Sequence, residues 1–118
     1  MYRTFLKSKI HRAVVTGADL NYEGSLAIDS LLMKAAGILP YEMVHVYNIS
    51  NGERFETYAI EASPKSSVIC LNGAAARKGA PGDIIIIASY ALLNDDEIKD
   101  FCPRIIHVDK DNNIKGGK

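Results

Sequence analysis

Charge of one sign is missing from this chain. Fourteen Lys and Arg residues balance fourteen Asp and Glu residues, for a formal net charge of zero. No overall field therefore draws the protein to nucleic acid or to a membrane surface. Cysteine is scarce: Cys70 and Cys102 lie far apart, with no CxxC and no clustered Cys/His spacing. The expectation is two reduced, inert thiols and no structural metal. Long hydrophobic runs are absent as well. The longest, IIIIA at 84–88, is too short to cross a bilayer, and the basic start MYRTFLKSKIHRAVV lacks the continuous apolar core of a signal peptide. These absences predict a cytoplasmic protein. GxSxG, GxxxxGK[ST] and HExxH do not occur, the carboxylates are scattered rather than paired, and neither an internal repeat nor a linker is visible.

What is present is ordinary in bulk. The 118 residues, 47% hydrophobic and 24% charged, suit one domain spanning 1–118, long enough to bury about two-thirds of the surface of its unfolded form. Only the tail, DNNIKGGK, is expected to fray. Short segments rich in β-branched residues dominate: KIHRAVVT, MVHVYNI, RFETYAIEA, SSVICL, DIIIIASY and RIIHV read as strands bounded by Gly, Asn, Pro or Asp. Asn51-Gly52 between two of them predicts an antiparallel hairpin closed by a type I′ turn. IIII, apolar on both faces, is expected at the centre of a core. Asp29 can cap a helix over SLLMKAAG, with Leu32, Ala35 and Ala36 on one face and Gly37 as a left-handed stop; Asn94 can cap NDDEIKDF, ended by Pro103. Six short strands and two brief helices predict a mostly β fold, a closed or nearly closed barrel.

Several residues admit a chemical reading beside a structural one. Gly24-Ser25, in NYEGSLAID, is either turn punctuation or a serine hydroxyl placed to attack the neighbouring glycine carbonyl. Lys9 and His11 alternate with Ile10, so they share a face that is either the solvated side of an edge strand or a place for an anion. Arg54 and Tyr58, an even number of positions apart, share a face, with Thr57 on the other unless a bulge intervenes; they are either residues of good β propensity or a bidentate carboxylate clamp and a proton donor. LNGAAARKG is either a helix start capped by Asn72 or a small-residue surface that lets a ligand approach the backbone. His45 and His107 read as ordinary strand residues, and Tyr2, Tyr41, Tyr47 and Tyr90 as packing aromatics.

Taken together, KIHRAVVTGADLNYEGSLAID, NGERFETYAI, NGAAAR and GDIIIIASY, in that order from about Arg3 to the strand near His107, resemble the bacterial aspartate 1-decarboxylase family. These are pyruvoyl enzymes that make β-alanine for pantothenate. The resemblance implies a double-psi β-barrel, a homotetramer with active sites between subunits, and a precursor that cuts itself at Gly24-Ser25 into chains 1–24 and 25–118. It implies that Ser25 becomes the pyruvoyl cofactor, with no metal and no pyridoxal phosphate, and forms a Schiff base with the substrate L-aspartate. By the same resemblance Tyr58 returns the proton, Lys9 and Arg54 hold the two carboxylates, and Thr57 with Asn72, Gly73, Ala74 and Ala75 lines the substrate site. His11, Tyr22 and Ala76 assist around it, and a maturation factor is a conceivable partner. SPKSS at 63–67 and the tail ending GGK are where the chain differs. The readings left beside this one are another pyruvoyl-dependent amino-acid decarboxylase, a non-catalytic β-barrel binding or assembly module, and an unprocessed precursor.

Overall fold

A computed structural model describes residues 1–116. The strands are β1 (Arg3–Val14), β2 (Gly17–Asp19), β3 (Ser25–Asp29), β4 (Met43–Asn48), β5 (Arg54–Ala62), β6 (Ile69–Asn72), β7 (Ile84–Leu93) and β8 (Arg104–His107). Helices α1 (Ser30–Ala36) and α2 (Asp95–Ile98) and a 3₁₀ helix (Gly73–Lys78) complete the fold. Hydrogen bonding orders the eight strands β2-β6-β3-β5-β4-β7-β1-β8 in one mixed sheet. The strands at or near its two ends are one stretch of chain, because only Val15 and Thr16 separate β1 from β2. Thr16 donates its backbone N–H to Ile69 O on β6 at 2.8 Å. The sheet thus curls into a β-barrel, with β8 as a parallel flank on β1.

Two bulges in β1 allow the curl. Its register against β7 shifts between Leu6 and Ser8 and again between Ile10 and Ala13, and Arg12 takes a left-handed φ of 66°. An extra residue bends a strand and tightens its twist. It also switches which parity faces inward, so Ser8, Ile10, Ala13 and Val15 can all be buried. The interior is filled by Ile10, Leu26, Ile28, Val44, Val46, Ile69, Leu71, Ile85 and Ile87. The IIII run is only half as expected. Ile85 and Ile87 are buried, whereas Ile84 and Ile86 are half-buried on the other face, since successive side chains of one strand cannot share a side.

Local chemistry explains the helix and hairpin ends. Asp29 accepts from Leu31 N at 2.9 Å and Gly37 takes a left-handed conformation, φ 73°, as α1 ends; its buried residues are Leu32, Met33 and Ala36. α2 has the capping box of Asn94 and Glu97 but stops at Ile98, well before Pro103. β4 and β5 pair antiparallel with Tyr47 opposite Arg54. Their turn is not type I′. Gly52 alone has positive φ, 80°, and its N–H bonds Asn48 O at 2.9 Å to close a longer loop.

The tail is a correction of substance. Asn112 is 4% exposed; its Oδ1 accepts from Val14 N at 2.7 Å, and its Nδ2 donates to Val14 O at 2.9 Å and Ser67 O at 3.0 Å. Val108 also bridges Ile114. Residues 112–115 are therefore tied to the barrel, Lys115 donating its N–H to His107 O at 2.8 Å, and Gly117 and Lys118, also in that expectation, lie outside the described residues. Asn112→Ala orphans these buried backbone groups and is expected to cost about 2 kcal/mol, several degrees of Tm by thermal unfolding. An unchanged Tm would show the tail to be a passenger. Among the described residues no helix is long and apolar enough to cross a membrane.

Candidate active site

The chain leaves β2 through a turn in which Asp19 Oδ1 accepts from Asn21 N at 3.0 Å and enters β3 at Ser25. Tyr22 is 56% exposed, yet Ser25 is 1% exposed. The Gly24-Ser25 bond thus lies where the chain passes from solvent into the barrel wall. The Ser25 hydroxyl donates to Glu23 O at 3.0 Å and accepts from Asn72 Nδ2 at 3.1 Å. The β3–β6 ladder sets that pairing, with Ser25 directly opposite Asn72. Asn72 was expected to cap a helix. It stands at the N-cap position of the 3₁₀ helix, but its side chain makes no capping bond and is turned to Ser25 instead.

Gly73 completes the turn from the other side. Its φ is +64°, and a Cβ there would come within 2.6 Å of Gly24 Cα and N and 2.9 Å of Tyr22 O. Only a residue without a side chain fits against the backbone of the Gly-Ser turn. Two clefts flank the bond. One, of about 420 Å³, is lined by Tyr22, Glu23, Ser25, Pro40, Tyr41 and Tyr58, among others. The second, of about 370 Å³, includes Gly24, Thr57, Tyr58, Ala74 and Ala75. Tyr58 lines both. Ala76 instead packs against the core.

Lys9, His11 and Arg54 are not brought to these clefts, whose linings include none of them. Lys9 lies on β1 opposite Ala88 and Ile105. His11 faces His107, ring centroids 5.3 Å apart. Burial, then the Lys9 charge and His107, hold the His11 pKa below its ordinary value, and its Nδ1 is buried without a hydrogen-bond partner among the described residues. Arg54 stacks on Tyr47 with Cζ 4.0 Å from the ring centroid, in a separate cleft with His45, Phe55 and Glu56. Tyr47 is pushed up to about 12 by burial and by its hydrogen bond with Tyr90, 2.7 Å between the hydroxyls. Among the described residues neither Lys9 nor Arg54 has a carboxylate partner.

Sequence reasoning missed some neighbours. Tyr41 is not a packing aromatic: it is 77% exposed, lines the Ser25 cleft and holds its ring centroid 6.1 Å from that of Tyr58. Its left-handed φ of 70° leaves no trace in composition. Tyr2 and Tyr90 are exposed too. His45 is not a lone strand residue, since Glu56 Oε2 is 3.8 Å from its Nδ1. Cys70, whose Sγ lies 3.3 Å from Asn72 Oδ1, was legible in principle, because residues two apart on a strand share a face. No group of His, Cys, Asp and Glu suited to a metal occurs among the described residues.

A small β-barrel that presents a buried serine after a glycine, between tyrosine-lined clefts, defines the class of protein. Comparison makes it particular: a family model described as aspartate decarboxylase matches residues 1–115. The aspartate 1-decarboxylase of Desulfotalea psychrophila is 56% identical over 115 residues, 98% of this chain and 97% of that protein. Those of Syntrophus aciditrophicus (58% over 115 residues, 98% and 99% covered) and Syntrophobacter fumaroxidans (61% over 112 residues, 95% and 90% covered) are similar to it as well. The chain belongs to the aspartate decarboxylase family.

Proposed function

We propose that the chain is a carboxy-lyase that decarboxylates L-aspartate to β-alanine and CO2, feeding pantothenate synthesis in the cytoplasm, after cutting itself at Gly24-Ser25. The observation that carries this reading is the buried Ser25 hydroxyl held between Glu23 O and Asn72 Nδ2 beside an unhindered glycine. Ser25 Oγ attacks the Gly24 carbonyl carbon, the C–N bond breaks, and the freed amine of residue 25 takes the proton. The ester then loses the Gly24 carboxylate by β-elimination. Water hydrolyses the resulting enamine, through its imine, to a ketone and ammonia. Thr57, in the cleft that includes Gly24, stabilises the oxyanion of the first step.

The surroundings fit a pyruvoyl group at residue 25, since Gly73 presses on the preceding backbone and Ala74 and Ala75 leave space in the adjoining cleft. Such a group supplies a carbonyl that condenses with the substrate amine and takes up the electrons left as CO2 departs. Tyr58 delivers a proton to the α-carbon. Lys9 and Arg54 bind the two carboxylates, one as a point charge and the other as a fork. Because the clefts beside Ser25 include neither cation, this reading requires an adjoining subunit, in a double-psi barrel that assembles as a homotetramer. The exposed Leu39, Tyr41, Met43, Tyr90 and Leu92 supply apolar surface for that assembly.

An intact mass spectrum of the denatured protein tests the proposal. The expected result is two fragments meeting after Gly24, the larger lighter than a serine-started chain by the mass of ammonia. A single uncut mass that persists through incubation with heat or cell extract overturns it. Tyr58→Phe is expected to cut normally but to decarboxylate about 100-fold more slowly, in the range for losing a general acid. An uncut Tyr58→Phe chain would assign that hydroxyl to processing instead.

A further inference from the structure

The Asn72 amide has two ends that look alike in shape and differ in chemistry. One end, Nδ2, donates to Ser25 Oγ at 3.1 Å. The other, Oδ1, accepts from the Cys70 thiol at 3.3 Å, and among the described residues no other donor is recorded there. Asn72 is 4% exposed, so water is poorly placed to satisfy either end. Turned by half a revolution, the amide would present its oxygen to Ser25 Oγ. The hydroxyl proton would then be drawn from Glu23 O to Asn72, and the amino group would face a sulfur that accepts hydrogen bonds poorly.

We propose that Cys70 is a positioning residue for self-cleavage, its thiol fixing the amide orientation in which Asn72 donates to the Ser25 hydroxyl. The inference rests on the proposed cut at Gly24-Ser25 and deepens it. Strand geometry brings the groups together: Cys70 and Asn72 are alternate residues of β6 and therefore share a face, while Ser25 is fixed opposite Asn72. Gly17, opposite Cys70 on β2, leaves room for the sulfur, since a Cβ there would lie 3.3 Å from Sγ. Burial, and then the Asp19 charge, raise the thiol pKa above its ordinary value. The sulfur therefore keeps its proton near neutral pH and acts as a donor. An S–H bond is weak, but its partner is a buried carbonyl oxygen that would otherwise go unpaired, the situation in which one bond matters most.

The test follows the cut over time by intact mass, in chains synthesised cell-free as wild type, Cys70→Ser, Cys70→Ala and Cys70→Val. Cys70→Ser keeps a donor and is expected to cut within about twofold of wild type. Cys70→Ala and Cys70→Val remove the donor, the second while retaining bulk, and are expected to cut about 10-fold more slowly, the factor that corresponds to one net hydrogen bond. Tm, followed in parallel, separates this from a packing defect: rescue by serine without a matching order in Tm marks positioning. Equal rates for Cys70→Val, Cys70→Ala and wild type overturn the inference while leaving the proposed cut intact. A wild-type chain that never cuts overturns the proposed function, and this inference with it.

Discussion

Ser25→Ala is expected to give a single uncut chain without detectable decarboxylase activity, still folded but melting a few degrees lower. The methyl group of alanine occupies part of the space of the CH2OH, so no steric conflict arises at a position 1% exposed. What disappears is one hydroxyl with its bonds to Glu23 O and Asn72 Nδ2. Leaving the Asn72 donor unpaired costs about 1–3 kcal/mol, less than the total stability of a domain this size, so the chain still folds. The chemistry falls much further. The same oxygen is the proposed nucleophile of the cut, and the same residue is the proposed source of the cofactor carbonyl, so both steps fail together. Intact mass and CO2 release from L-aspartate read the two losses. A Ser25→Ala chain that still appears as two fragments would place the cut elsewhere or assign it to another protease.

Local signals in the sequence carried much of the fold. Asp29 before SLLMKAAG and Gly37 after it mark both ends of α1 because a cap and a left-handed stop are properties of single residues. The β4–β5 pairing was legible from alternation around Asn51-Gly52, although the loop proved longer than the dipeptide suggested. A closed or nearly closed barrel was legible from the number of short strands, but the means of closure was not. Closure depends on bulges at Lys7 and near Arg12 and on the short step from β1 to β2, and neither leaves a pattern distinct from ordinary alternation. The tail misled for a related reason. Asn112 looks like a solvated turn residue in DNNIKGGK, yet its amide satisfies backbone groups of Val14 and Ser67, a tertiary fact with no local signature. In the site, Ser25, Tyr22, Gly24, Thr57, Tyr58, Asn72 and Gly73 gather around one peptide bond although three separate stretches of chain supply them. Lys9, His11 and Arg54 stay apart within one chain. Spacing along a sequence orders residues but does not say which of them the fold brings together.

Gly73→Ala is expected to abolish the cut as Ser25→Ala does, and to destabilise the fold further. Two independent penalties meet at this residue. Its φ of +64° lies in the left-handed region, where an L side chain costs about 1–2 kcal/mol. The added Cβ would also fall 2.6 Å from Gly24 Cα and N and 2.9 Å from Tyr22 O. These are backbone atoms that cannot swing aside like the end of a lysine, so the Gly-Ser turn itself must move. Overpacking of this kind costs about 1–3 kcal/mol more. A displacement of about 1 Å at a reacting centre suffices for a 100-fold loss of rate, and here the displaced residue carries the carbonyl under attack. Gly52→Ala is the matched control: its φ is +80° with nothing within 4 Å of the new Cβ, so it bears the conformational penalty alone, about 1 kcal/mol. It is expected to melt slightly lower and cut at the wild-type rate, whereas Gly73→Ala melts markedly lower and stays whole. If both glycine variants cut alike, the contact between Gly73 and the Gly24 backbone has no part in processing, and the turn is held by the Ser25–Asn72 bond alone.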